Sequence, residues 1–365
     1  MTGARLVSLD VFRGFIIASM ILVNNPGSWK DVYAPLLHAE WHGWTFTDII
    51  FPSFLWIVGA AMTLSFSKRL ERGDSRGRLI LHVLRRSLIL FALGLFLNAF
   101  PEFRLSTLRI PGVLQRIAVC YLAAALIYLY ARARWQAAAI VILCAIYWLL
   151  MTLAPAPGCV PGSFEQACNF AKYVDGLFLS GHMWSHTKTW DPEGIVSTLP
   201  AIATVLLGAL AARLLRKALP GASIAAWLFL GGNALMAAGL LLSQWMPVNK
   251  NLWTVSFTLL MAGISQSLFA AFYWLVDIQG WKRWTAPFAI YGMNAITVYV
   301  LSGILADLLN VIRIKGASLH LILYRDFFSA FAGPKEASLL FALTHVLALY
   351  AVAHFLYRRN WFVRV

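Results

Sequence analysis

An all-α, polytopic transmembrane helix bundle is the fold class this sequence predicts, on three observations. Of its residues 60% are hydrophobic and only 12% are charged, about half the roughly 25% charged fraction of soluble domains. The apolar residues fall in runs of the length that crosses a bilayer as a helix, about 20 residues. The segments between the runs divide Arg and Lys unevenly between two sides.

In chain order the apolar runs lie near 10–26, 48–67, 86–101, 112–131, 136–154, 195–214, 224–245, 253–276, 285–309 and 338–357, about ten spans. The first has no small-residue cleavage site behind it and is expected to be a permanent span rather than a signal peptide. Ten spans put both termini on one side. That side carries 18 basic residues: Arg5, seven from Lys68 to Arg86, Arg132, Arg134, Arg213, Arg216, Lys217, Lys282, Arg283, Arg358, Arg359 and Arg364. The other side carries ten in longer loops. The excess places both termini in the cytoplasm. The chain 1–365 then reads as a single integral-membrane domain, with longer outward loops at 155–194 and 310–337.

The net charge of +15 follows from that topology. No soluble basic face is available for nucleic acid, whereas an anionic ligand from the cytosol remains compatible. Of the four cysteines, Cys120 and Cys144 sit in apolar runs as packing residues. Cys159 and Cys168 lie nine apart in a loop that could hold a disulfide if it faces an oxidising compartment.

Polar side chains at the span ends are the candidates for chemistry. Asp10 and Arg13, three apart, share a helix face at the cytoplasmic end of the first span. They form either an ion pair or, with Arg5, a phosphate site. Asn24 and Asn25 precede Pro26-Gly27, as helix cap or as amide donor to a carbonyl oxygen. His38, Trp41 and His42 follow in the outward loop. Histidines four apart can ligate zinc on a helix, but no third ligand of obvious spacing follows and no metal is expected. Asp48 stands ten residues after His38, as N-cap of the second span or as the carboxylate that orients an imidazole. Arg116, where the fourth span begins, needs a counter-charge, and Asp191 and Glu193 offer one. Asn249, Lys250, Asn251 and Trp253 make a further outward polar cluster, and Asn294 lies inside the ninth span.

The strings RLVSLDVFRG at 5–14, VNNPG at 23–27, HAEWHGWTFTDIIFP at 38–52, GVLQRIAVCY at 112–121, DPEGIVSTLPAI at 191–202, PVNKNLWTVSF at 247–257 and YGMN at 291–294 resemble the heparan-α-glucosaminide N-acetyltransferase family. The likeness runs from residue 5 to about 300, and the chain looks like a bacterial inner-membrane relative associated with N-acetylglucosamine utilisation. It implies transfer of an acetyl group from cytosolic acetyl-CoA, a co-substrate, to the amine of a glucosamine-type sugar on the far side of the membrane. The family's catalytic histidine falls on His38, its active-site Asn on Asn24, and the Asp before its Phe-Pro on Asp48. His42 stands where the lysosomal enzyme has Asn. Families of this type are often dimeric, and a homodimer is admitted on that ground alone.

Within this reading Trp41, His42, Arg116, Asp191, Glu193, Asn249 and Lys250 are expected around the amino-sugar acceptor, and Arg5, Arg13 and Asn294 around CoA. His38 serves as base or as transient acetyl carrier. Two other readings compete: an O-acetyltransferase of a surface glycan, and a sugar transporter without chemistry.

Overall fold

The ten apolar runs all become helical in a computed structural model that describes residues 6–362. Arg5 and Arg364 lie outside the described residues. The first five runs form α1 (Val7–Asn24), α2 (Phe46–Glu71), α3 (Arg76–Ala99), α4 (Val113–Tyr130) and α5 (Ala133–Leu153). A short α6 (Phe170–Phe178) precedes α7 (Thr198–Leu214), α8 (Gly221–Leu242) and α9 (Val255–Tyr273), the last extended by a π-helical turn, Trp274–Ile278. The ninth run divides into α10 (Ala286–Met293) and α11 (Ala295–Val311); a four-residue α12 (Leu319–Ile322) and the long α13 (Pro334–Arg358) follow.

Eight of these helices are long and apolar enough to cross a membrane. Two expected spans differ in form. The sixth, α7, has only 17 residues, a rise of about 25 Å. The ninth is bent by 75° between Met293 and Ala295. The third helix starts ten residues before its apolar run because Ser75 caps it, its Oγ accepting the Arg78 N–H at 3.3 Å. Arg76, Arg78, Arg85 and Arg86 therefore sit on helix rather than loop.

Helices meet through small residues, which let backbones approach where lipid gives no hydrophobic drive between spans. A Cβ on Gly59 of α2 would lie 1.8 Å from the Val205 carbonyl oxygen of α7, and one on Gly208 would lie 2.0 Å from that of Trp56. The same close approach joins α1 to α10, with Gly14 against Phe288 and Gly292 against Asp10. Buried hydroxyls add links: Ser53 to Ser265 at 2.8 Å, and Thr63 to the Ala209 carbonyl at 3.2 Å.

One end of the bundle gathers the C-terminus of α1, the N-termini of α2, α4 and α7, and both longer loops. The 155–194 loop holds α6 and a disulfide between Cys159 and Cys168. Its Phe164 carbonyl accepts the Trp41 indole N–H at 2.8 Å, so it covers the α1–α2 connection. The 310–337 segment carries a two-residue hairpin, Arg313–Ile314 with Ala317–Ser318, and α12. At the opposite end Arg69 and Arg78 grip Asp74 at 2.8 Å each.

Candidate active site

The chain between α1 and α2 is irregular apart from a single turn at Ala34–Leu36. His38 and His42 are therefore not on a helix, and their spacing does not put them side by side. Thr45, not Asp48, is the N-cap of α2, and Asp48 is the third helical residue. It reaches back as the acidic half of a capping box, its Oδ2 accepting the Thr45 N–H at 3.0 Å and the Thr45 hydroxyl at 3.2 Å. The same oxygen accepts the Ala39 N–H at 3.0 Å. The second oxygen, Oδ1, is left for His38 Nδ1, 2.6 Å away.

Capping and imidazole orientation are thus one arrangement. Asp48 is 1% exposed while the His38 side chain is 47% exposed, so the carboxylate is fixed inside and about half of the imidazole stays accessible. With Nδ1 turned to Asp48, the in-plane lone pair of a neutral imidazole lies on Nε2.

Lys250 comes to this ring from the turn before α9. Its Nζ lies 3.0 Å from His38 Nε2, 3.2 Å from Nδ1 and 3.9 Å from Asp48 Oδ1. An in-plane approach to both nitrogens would drive it into Cε1, so it sits over the ring face. Burial pushes the Lys250 ammonium down from its ordinary value, and the Asp48 and Glu193 carboxylates oppose that. Asn249 holds the turn: its amide donates to the Trp41 carbonyl at 2.8 Å, and its Oδ1 accepts the Leu252 N–H at 2.9 Å. These two bonds to backbone make it a brace for Lys250. The Tyr147 hydroxyl of α5 donates to the Leu252 carbonyl at 2.7 Å.

Arg116 does not pair with Asp191 or Glu193 as expected. It is buried at the start of α4, donates to the Gly194 carbonyl at 2.9 Å and to Ser197 Oγ, and stacks over Trp253 at 5.2 Å. Arg109, one of the ten basic residues counted on the outward side, takes both carboxylates: Asp191 at 2.7 and 2.8 Å and Glu193 at 2.5 Å. Its position just before Pro111-Gly112 and α4 was the available signal. Desolvation works against its charge, but Glu193 and Asp191 outweigh it and hold the guanidinium above its ordinary value. Asp175 of α6 is a further residue the sequence did not single out. Its carboxylate accepts the Ile195 N–H at 3.0 Å and the Asp191 N–H at 3.2 Å, and burial pushes it up to about 6.

The remaining candidates are spread along the bundle. Trp41 packs edge-on against Trp190 at 5.2 Å. His42 turns to Asn249 at 3.3 Å and to Glu165 at 3.9 Å, away from Asp48. Asn24 ends α1 and is exposed, with no hydrogen bond to His38, Asp48 or Lys250 among the described residues. Asn25 takes the structural role, donating to the Ile21 carbonyl at 2.7 Å and to Ser302 at 3.1 Å. Arg13 pairs with Asp10 at 3.1 Å and donates to the Gly292 carbonyl at 3.3 Å. Asn294, 1% exposed, sits at the α10–α11 bend. Between these two ends lies a narrow apolar slot of about 10 Å³, walled by Ile17 and Met20 of α1, Phe54 of α2, Leu114 of α4, and Ile296 and Tyr299 of α11.

The family model for the catalytic region of heparan-alpha-glucosaminide N-acetyltransferase matches residues 5–245. The chain belongs to that family. It is 31% identical to the human heparan-alpha-glucosaminide N-acetyltransferase over 352 residues, covering 81% of this chain and 52% of the human protein. The mouse protein of the same name is 29% identical, over 81% of this chain and 53% of its own length. The chain thus spans about half the length of the curated relatives it matches. Within this heparan-alpha-glucosaminide N-acetyltransferase family member, the matched region contains His38, Asp48, Arg109, Arg116, Asp191 and Glu193, and stops short of Lys250 and Asn294.

Proposed function

We propose that this protein is a transmembrane acetyltransferase that moves an acetyl group from cytosolic acetyl-CoA to the amine of a glucosamine-type sugar on the opposite face of a bacterial inner membrane. The observation that carries this reading is the His38–Asp48 pair, with a buried carboxylate 2.6 Å from Nδ1 of a half-exposed imidazole. The Cys159–Cys168 disulfide on the same end supports placing that end on the oxidising side. The basic run Lys68–Arg86 supports a cytosolic opposite end.

The acceptor amine must be neutral to attack. His38 Nε2 takes its proton as the nitrogen meets the thioester carbonyl. Asp48 keeps Nδ1 protonated and stabilises the imidazolium that forms. In a two-step variant His38 itself attacks and carries the acetyl group. Asn24 serves as amide donor to the tetrahedral oxyanion, a contribution of about 3 kcal/mol in comparable sites. Arg109 holds Asp191 and Glu193 in place beside the acceptor, and Trp41 with Trp190 offers an aromatic wall.

The CoA nucleotide binds near Arg5, Arg13 and Asn294, and its thin arm follows the apolar slot. Arg13 and Asn24 are eleven residues apart on one helix, about 16 Å, comparable with an extended pantetheine arm. Helices α1 and α11 must part to admit it. The slot's apolar walls suit the arm's methylenes, while the charged head stays near cytosolic water.

The test is release of CoA thiol by the purified protein with glucosamine as acceptor. Wild type is expected to turn over; His38→Ala is expected to lose transfer while still binding acetyl-CoA. Turnover with N-acetylglucosamine in place of glucosamine points to O-acetylation instead. Sugar uptake without thiol release points to a transporter.

A further inference from the structure

We propose that Lys250 is a catalytic residue of this site: its ammonium receives the charge that builds on the acetyl carbonyl oxygen, as a second donor beside Asn24. The inference rests on the acetyl-transfer reading. It starts from the position of Nζ over the His38 ring face, 3.0 Å from Nε2 and 3.2 Å from Nδ1. That position leaves the in-plane lone pair of Nε2 open toward an incoming proton. It also puts a positive charge beside the atom around which the reaction takes place. Whichever nitrogen attacks, the acceptor's amine next to Nε2 or Nε2 itself, the carbonyl oxygen ends within bonding reach of a donor placed there.

The surroundings hold this cation in place without neutralising it. Asp48 Oδ1 is 3.9 Å away, close enough to attract it, but that oxygen's short bond goes to His38. The Lys250 side chain is 16% exposed, so water does little to screen it. The groups whose charge it feels are Asp48 on α2, Glu193 before α7, and Arg109 and Arg116 at the start of α4. His38, from the α1–α2 connection, faces it directly. The turn carrying it is fastened by Asn249 to Trp41 and by Tyr147 to Leu252. A lysine serving only to fill space or to bind a sugar hydroxyl has no need of this bracing against the imidazole.

The step balances as follows. The amine nitrogen bonds to the thioester carbon, and the carbonyl π pair moves to oxygen, where Lys250 meets it. The pair returns, the carbon–sulfur bond breaks, and CoA leaves as thiolate. The proton that the amine gave to His38 Nε2 passes to the thiolate. Lys250 ends with the protons it began with.

The experiment compares wild type, Lys250→Met and Lys250→Arg, reading kcat and KM for acetyl-CoA and glucosamine across pH, with a thermal midpoint for each protein. Lys250→Met is expected to lower kcat about 100-fold or more while the KM for acetyl-CoA stays within about twofold. Lys250→Arg is expected to recover most of kcat. Wild-type kcat should fall at alkaline pH as the desolvated ammonium loses its proton, and that fall should vanish in Lys250→Arg, whose guanidinium stays charged. Equal losses in Met and Arg variants overturn the inference, as does an alkaline limb that is the same in wild type and Lys250→Arg. If Lys250→Met does not fold, the Arg profile decides alone. Wild type that releases no CoA with glucosamine sinks the acetyl-transfer reading and this inference together; an active wild type with an unimpaired Lys250→Met sinks the inference only.

Discussion

Asp48 does two jobs with its two oxygens, and the jobs separate under substitution. Asp48→Asn keeps the size and one acceptor, but an amide turned toward His38 no longer fixes the tautomer with Nδ1 protonated. Transfer is expected to fall by about 10³- to 10⁴-fold, while losing part of the cap costs about 1 kcal/mol. A thermal midpoint beside kcat separates the two effects. Asp175 gives a different prediction. Folded, it keeps its proton up to about pH 6; unfolded, it releases it near the ordinary aspartate value. Between those pH values the folded state binds more protons, so its contribution is full below the window and is lost as pH rises through it. The loss is about 3 kcal/mol at most. The stability difference between wild type and Asp175→Asn should change across pH 4 to 6, read as paired thermal midpoints; a constant difference rules the effect out. The His38–Asp48 contact could be anticipated because ten residues separate a loop histidine from a helix N-terminus, a local relation. The Arg109 pairing could not, since it joins the start of α4 to residues 82 and 84 positions away. That contact depends on how a long loop folds back, and side-chain chemistry alone did not distinguish Arg109 from Arg116.

At the scale of elements, the apolar runs located the spans because hydrophobic length is the property a bilayer selects. Their form was harder to read. The 75° break at Asn294 has no proline beside it to announce it, since the run's one proline, Pro287, lies in the first turn of α10, and α3 extends beyond its apolar part because Arg side chains can lie along a helix and reach water at its end. Helix pairing was equally hidden, since it is set by glycines whose role depends on which neighbour they face. Gly59 is the clearest. A methyl group there would meet the Val205 carbonyl oxygen at 1.8 Å, and backbone cannot yield as a side-chain tip can. Gly59→Ala is expected to push α2 from α7 and destabilise the protein by about 1–3 kcal/mol. Gly77→Ala, where nothing lies within 4 Å, is the control expected to be neutral or stabilising. Thermal unfolding in detergent reads both, and equal midpoints for the two variants would contradict the packing account.

For the whole molecule, orientation in the membrane decides which reactant meets which end, and the cysteine loop offers a direct test. In Cys159→Ser the thiol of Cys168, otherwise held in the disulfide, becomes available. A membrane-impermeant maleimide added to intact spheroplasts is expected to label it; labelling only of inverted vesicles would reverse the topology and with it the donor and acceptor sides. Losing the bridge should cost about 3 kcal/mol of stability, since it closes a loop of nine residues' separation. The unbroken run of α1 has a further consequence. If the nucleotide sits at Arg13 and the acetyl group at Asn24, as proposed, these are marks on one rigid rod, and the gap between them is set by helix rise and not by how thick the surrounding lipid happens to be. The protein then acts as a ruler for its donor. Thicker or thinner bilayers should leave its choice of carrier untouched, and a thioester on a handle shorter than the rod would fail to bring its acetyl group to His38 from the nucleotide end.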